Sequence, residues 1–355
     1  MKKKLVTMVL AAILAMSSVV CGVQAEAVDD TVYDIKVSGH PYIHALPSVY
    51  AIERGYFNCE DTTVDMYSGG PVQNEAIASS AWDVGTTGTG GIVLGAVGYD
   101  LKAIGFTAPD ESTVDLWVRP DSPLASCEPD ENGIFGTAED WKGLTILCPT
   151  GTSCHMLLIG LLEHMGLTQD DINLIDTSVA DSYAAFKAGT GDVCALWSPF
   201  GFQAEEETDW VKVACADDLG IIMPCVIVAT KEAIENDWDG VYAYLKAYLK
   251  TATEMNADPE GTASLLYDFE EEQGISLSET AAVKEVEHRP FASIERNEEL
   301  FTVREDGGCE ANDILMRFAE FFAGQGKISE DDLKALQDNG GMVDTSFMEA
   351  YMNEQ

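Results

Sequence analysis

An α/β protein built of two units, one inserted into the other, is the fold class that this 355-residue sequence predicts. Two observations lead there. Strand-like and helix-like segments alternate from residue 31 to about 255, as in a mainly parallel sheet covered by helices on both faces. A stretch rich in Pro, Gly, Asp and Ser over residues 119–140 interrupts that alternation, and a second α/β series starts after it.

The first 25 residues read as an export signal. Lys2-Lys3-Lys4 precede a short apolar run from Leu5 to Met16, and Val23-Gln24-Ala25 offers compact residues for a peptidase. Ser18-Val19-Val20-Cys21-Gly22 resembles a bacterial lipobox, making Cys21 a candidate for lipidation, although Val20 departs from the Ala or Gly expected there. Cleavage after Ala25 is the alternative.

The first unit begins with Val32–Val37, which alternates at period two as a half-buried strand does. A helix follows from Leu46 to Arg54 and stops at Gly55. Thr62–Tyr67 is the next strand, and Gly69-Gly70-Pro71 opens a helix to Ser80, with proline at an early helical position. Asp83–Thr87 is a short strand, Gly90–Gly98 a helix or coil, and Leu101–Phe106 and Val114–Val118 are strands. In the second unit Leu144–Leu147, Ile172–Asp176, Val193–Leu196 and Val211–Ala214 are strands. Ser153–His164, Ser182–Ala188 and Pro199–Thr208 are helices between them. Val226–Ala229 returns the chain to the first unit, and helices dominate from Lys231 onward, with amphipathic stretches at 231–255, 259–272 and 310–323. The expected lobes are 26–118 with 225–355, and 119–224, joined by crossings near Val118 and Cys225.

Charge narrows the function classes. Sixty-one Asp and Glu face 20 Lys and Arg, a formal net charge of −41 that becomes −44 once three lysines leave with the signal. Such a surface repels phosphate backbones, so nucleic acid is not an expected partner. No apolar run of about 20 residues follows the N-terminus, so membrane association is expected only through a lipid anchor. Eight cysteines remain in the mature chain, and Cys148, Cys194, Cys215 and Cys225 sit in strand-like apolar contexts where thiols pack as small hydrophobes. Cys127 and Cys309, in polar loops, are the expected exposed pair.

Turns at strand ends carry the candidate chemistry. Gly69-Gly70, Thr86-Thr87-Gly88-Thr89-Gly90 and Gly151-Thr152-Ser153 each precede a helical segment, and helix starts offer unpaired N–H groups and a partial positive charge to anions. His40 and His44 flank Pro41-Tyr42-Ile43 beyond the first strand, where one of them is expected to touch ligand. Trp197, ahead of Ser198-Pro199-Phe200, is placed to wall a cleft. Asp115 and Asp181 are candidates to meet a ligand ammonium. Tyr42 and Thr107, each just beyond a strand, complete the candidate set. Neither a P-loop nor a GxGxxG is present, and GxSxG, HExxH and Cys-His-Asn signatures are missing, so neither nucleotide binding nor catalysis is expected. No cofactor or metal is expected.

Four segments carry a family resemblance: Ala51–Phe57 with its Gly-Tyr-Phe corner; Asp83-Val84-Gly85 with the Gly-rich turn behind it; Trp141-Lys142-Gly143 through Pro149–His155 and the Leu-rich run to Gly166; and Asp181–Phe186 with Ala188-Gly189, Asp192-Val193 and Trp197–Phe200. Together they resemble substrate-binding proteins of ABC importers, in the branch serving taurine, aliphatic sulfonates, nitrate and thiamine precursors. The resemblance implies a type II periplasmic-binding-protein fold, an extracytoplasmic monomer, a membrane permease as partner and a small organic solute. It implies His155 as a ligand residue and favours a sulfonate such as taurine. Alternatives are a receptor for a thiamine pyrimidine precursor or other nutrient, or an enzyme related to thiamine-pyrimidine synthases on the same fold.

Overall fold

Two five-stranded sheets organise the chain. The structure is a computed structural model and describes residues 31–60 and 62–354; the expected signal and Cys21 lie outside them. Strands β1 (Val37–Gly39), β2 (Val64–Met66), β3 (Val84–Thr87) and β4 (Lys102–Pro109) precede the first crossing. Strands β5 (Val114–Val118), β6 (Thr145–Cys148), β7 (Asn173–Asp176), β8 (Val193–Trp197) and β9 (Val211–Cys215) follow it, and β10 (Pro224–Ala229) comes after the second. The sheet orders are β2-β1-β3-β10-β4 and β7-β6-β8-β5-β9. In each, the strand that has just crossed over, β10 or β5, runs antiparallel between two neighbours. The sheets are therefore mixed rather than mainly parallel.

That exchange corrects one expected boundary. Val114–Val118 pairs with β8 and β9 and belongs to the second sheet, so the first crossing is the short segment between Pro109 and Val114. The crossings are bonded to one another: the Asp110 N–H donates to the Met223 carbonyl at 2.8 Å, and the Met223 N–H to Glu111 at 3.0 Å. The first strand is also shorter than expected. Asp83 accepts from the Lys36 N–H at 2.8 Å, occupying a group the ladder would use, and regular pairing starts at Val37.

Helices fill the connections. In the first lobe these are α1 (Leu46–Glu53), α2 (Gly70–Ile77) and α3 (Thr89–Tyr99). In the second they are α4 (Ala138–Trp141), α5 (Ser153–His164), α6 (Val179–Lys187) and α7 (Phe200–Glu207). The expected 231–255 helix divides at Asp237, which leaves helical geometry and caps the next helix by accepting from the Gly240 N–H. The result is α8 (Lys231–Asn236) and α9 (Trp238–Ala257), followed by α10 (Pro259–Glu272), α11 (Glu279–His288), α12 (Ile294–Phe301), α13 (Glu310–Gly324), α14 (Glu330–Asp338) and α15 (Ser346–Glu354). Among the described residues no helix is long and apolar enough to cross a membrane. All eight cysteines there are free; Cys309 is buried at the start of α13 rather than exposed, and Cys127 is partly buried.

The C-terminal helices complete the first sheet. β4 is its edge, and an edge strand exposes unpaired N–H and C=O groups. Buried Asn297 of α12 covers it like a neighbouring strand: Oδ1 accepts from the Phe106 N–H at 2.7 Å, and Nδ2 donates to the Phe106 carbonyl at 3.1 Å. Replacing Asn297 with Leu leaves two buried backbone groups unpaired. It is expected to cost about 2–4 kcal/mol in urea unfolding, since each such group costs about 1–3 kcal/mol.

Candidate functional site

The carboxyl ends of the parallel strands face one cleft, where ligands settle in open α/β sheets. Just beyond β1 come His40, Tyr42 and His44; beyond β2 comes the start of α2; beyond β3, that of α3. From the second lobe, the start of α5 follows β6, and Trp197 ends β8. These residues converge on a cavity of about 430 Å³, part of it open to solvent, with Asp110 and Arg289 also on its wall.

Glycine is what lets the helix starts approach. A Cβ at Gly70 would lie 2.5 Å from Gly91 Cα, so α2 and α3 meet main chain to main chain, and Asn74 donates to the Gly91 carbonyl at 2.8 Å. Across the cleft, a Cβ at Gly90 would lie 2.2 Å from the Gly151 carbonyl oxygen and 2.9 Å from Thr152 Cα. Gly151 itself has φ +71°, a left-handed conformation that disfavours any side chain. The lobes thus touch through backbone at the cavity rim.

The helix starts at this cavity differ from most of the others, although α1, α7 and α13 also lack a capping side chain. The residues ahead of α2, α3 and α5 are Gly69, Gly88 and Thr152, and no side chain caps any of the three. By contrast, α6, α8, α9, α10, α11, α12 and α14 are each capped by Ser, Thr or Asp. Each uncapped start leaves N–H donors and about half a positive charge directed at the opening. Three of them, from both lobes, converge on this one cavity.

Electrically neutral imidazoles, two aromatic rings and one saturated guanidinium paired with Asp110 also stand on the wall. Burial holds the His40 pKa down at about 4, against a hydrogen bond to Gln73 that raises it, and burial also drives that of His44 well below its usual value. Neither ring nitrogen of His44 has a hydrogen-bond partner. Tyr42 and Trp197 meet edge to face across the cleft with centroids 5.9 Å apart. Arg289, which follows α11, is buried. It donates to the Pro109 carbonyl, Ser198 Oγ and Glu285 Oε1, each at 3.0 Å, and it pairs with Asp110. Burial pushes the pKa of Glu285 up, opposed by Arg289. Glu270 is fully buried with neither oxygen partnered, and burial followed by the Glu285 charge raises its pKa further.

Of the expected residues, His40, Tyr42, Gly69, Gly70, Thr152, Ser153 and Trp197 line the cavity. Thr86 and Thr87 lie buried in β3 beneath the helix starts, and Thr107 is buried in β4; none of these reaches the wall. Gly151 serves the rim contact. His155 and Asp181 lie away from the wall of this cavity. The His155 ring is engaged by the Gly151 N–H at 3.3 Å and by Gln169 at 3.1 Å, which bolts the α5 turn in place. Asp181 is exposed and bonded to Ser178 at the start of α6. Asp115 lines a separate pocket, with Lys212 3.6 Å away. His44, Asp110 and Arg289 complete the site. The sequence pointed to His44 only as a partner of His40, and it gave no local signal for the other two. Cys154 and His155 form no nucleophile pair, since burial raises the Cys154 pKa well above normal. Among the described residues no group of three His, Cys, Asp or Glu side chains is placed to hold a metal ion.

Residues 43–262 match the NMT1/THI5-like family model, well over half of the chain. The chain belongs to the NMT1/THI5-like family. A relative from Brachyspira hyodysenteriae, named for periplasmic binding in an ABC transporter, is 30% identical over 90% of both chains. Two solved structures share the fold. The alkanesulfonate-binding protein SsuA of Xanthomonas axonopodis pv. citri, bound to MOPS, aligns with a TM-score of 0.66 at 19% identity over 83% of this chain and 94% of its own. The aliphatic sulphonate-binding SsuA of Escherichia coli aligns at 0.64 with 20% identity over 85% and 96%. The fold of this NMT1/THI5-like chain is thus the periplasmic-binding-protein fold, and these homologues are binding proteins rather than enzymes.

Two outcomes are expected. Gly90→Ala should wedge the rim, since the new methyl would overlap the Gly151 carbonyl. Small-angle scattering should report a larger radius of gyration with an unchanged circular dichroism spectrum. The second concerns pH. The unfolded chain protonates His40 below about 6.5, whereas the folded protein resists until about 4. Stability from this group is therefore lost as pH falls through that window, by about 3 kcal/mol at 1.36 kcal/mol per pH unit. Melting wild type and His40→Phe from pH 7 to 4 should show the difference between them shifting toward the variant by roughly that amount.

Proposed function

We propose that this protein is the extracytoplasmic solute receptor of an ABC importer, and that its two lobes close on a small organic anion, with a sulfonate favoured. The carrying observation is the convergence of three uncapped helix starts, contributed by both lobes, on one cavity. A sulfonate presents three oxygens to three groups of N–H donors, and it needs no proton at physiological pH. Ligand that touches both lobes only when they are together favours the closed form by differential contact. The paired crossings at 109–114 and 215–224 are the natural hinge. Relatives named for sulfonate and ABC-transporter binding agree with this reading, as does an N-terminal segment suited to export, with or without lipidation at Cys21. A permease in the membrane is the implied partner, and the protein acts as a monomer.

Taurine is the leading candidate solute. A second reading, a thiamine pyrimidine precursor, is favoured by the wall of Tyr42, Trp197 and two uncharged imidazoles, which suits a flat heteroaromatic ring. Thermal melts with taurine, ethanesulfonate, nitrate and a hydroxymethyl aminopyrimidine separate the two. A ligand at a hundred times its Kd adds about 2.7 kcal/mol, so the matching solute should raise Tm by roughly 4 °C in a chain of this size. Silence from the sulfonates with a shift from the pyrimidine would reverse the order.

A further inference from the structure

His40 is more constrained than a cavity-lining histidine usually is. Ser38 Oγ gives its hydrogen to the Val84 carbonyl at 3.3 Å, so it accepts from Gln73 Nε2 at 2.9 Å. The other Nε2 hydrogen of Gln73 goes to the Thr86 carbonyl at 3.1 Å. The amide is therefore oriented without ambiguity, and the atom it turns to His40 Nε2, 3.1 Å away, is its oxygen. An amide oxygen only accepts, so His40 Nε2 must carry the proton. The ring is uncharged, which leaves Nδ1 as a bare lone pair on a residue that lines the cavity.

The charged acceptor on that wall is already engaged. The Asp110 carboxylate pairs with Arg289, whose remaining donors go to Pro109, Ser198 and Glu285. The His44 ring, 5.2 Å from that of His40 and set edge to face, brings a second imidazole with neither nitrogen satisfied. Buried polar atoms left unmatched are costly, and a site built around one discriminates strongly against ligands that cannot answer it.

We infer that the bound solute carries a hydrogen-bond donor, an amine or a hydroxyl, beyond its anionic group, that His40 Nδ1 accepts from it, and that Gln73 is the positioning residue that fixes the accepting tautomer. This rests on the anion reading above and narrows it: an amino- or hydroxyalkanesulfonate fits, and a plain alkanesulfonate does not.

Calorimetric titration of the purified protein with taurine, 2-hydroxyethanesulfonate and ethanesulfonate tests it. The first two are expected to bind about tenfold or more tightly than the third. In His40→Phe that preference should collapse to near unity. Nitrogen-15 spectra of histidine-labelled wild type supply a readout independent of folding in the variant: the His40 Nδ1 resonance should move with taurine and stay with ethanesulfonate. Equal affinity for all three sulfonates overturns this inference while leaving the anion receptor standing. Binding of none of them removes both.

Discussion

One buried guanidinium joins parts of the chain that otherwise have little in common. Arg289 reaches the first crossing through Pro109 and Asp110, the second lobe through Ser198, and its own helix through Glu285; Cys225, where β10 begins, lies 3.6 Å away. A buried charge is tolerated only when it is paired and its hydrogens are used, and here both conditions are met. The arrangement fixes where the C-terminal helices sit relative to the hinge. It also explains how a residue distant in sequence from either sheet comes to stand on the cavity wall. With its charge committed to Asp110 and Glu285, Arg289 sets the shape of the floor more than it attracts solute.

The proposed capture of an anion by a chain with a net charge of −41 looks contradictory until distance is considered. Surface carboxylates are screened over about 8 Å at physiological ionic strength, whereas main-chain donors act at contact within a water-poor cleft. Placing the attraction in helix starts leaves the cavity free of unpaired lysine or arginine. The acidic exterior then governs solubility and encounter rate, and the interior governs capture.

Much of this organisation was legible in the sequence because it is local. The α5 helix was read to the residue, since a Thr-Ser turn followed by a leucine-rich amphipathic run announces its own start. The glycine turns at 69–70 and 86–90 were identified as helix openings for the same reason. What the sequence left unplaced has equally physical causes. Ser178 and Asp181 stand in the spacing of a helix cap, so the structural role of Asp181 was readable, whereas His155 turns back toward Gly151, and only the fold decides that. Val114–Val118 was assigned to the wrong sheet because a strand's pattern reports burial but not partners. Arg289 lies 179 residues from Asp110, and nothing in its neighbourhood announces a pairing at that range.

The backbone contact between Gly90 and Gly151 has a kinetic meaning. Side chains guarding an entrance can swing aside in nanoseconds, but apposed main chain cannot. At that point of the rim, passage therefore waits for the lobes to part. Widening the entrance there is a motion of whole lobes, so its pace is set by the crossings between them rather than by the swing of a single gatekeeper.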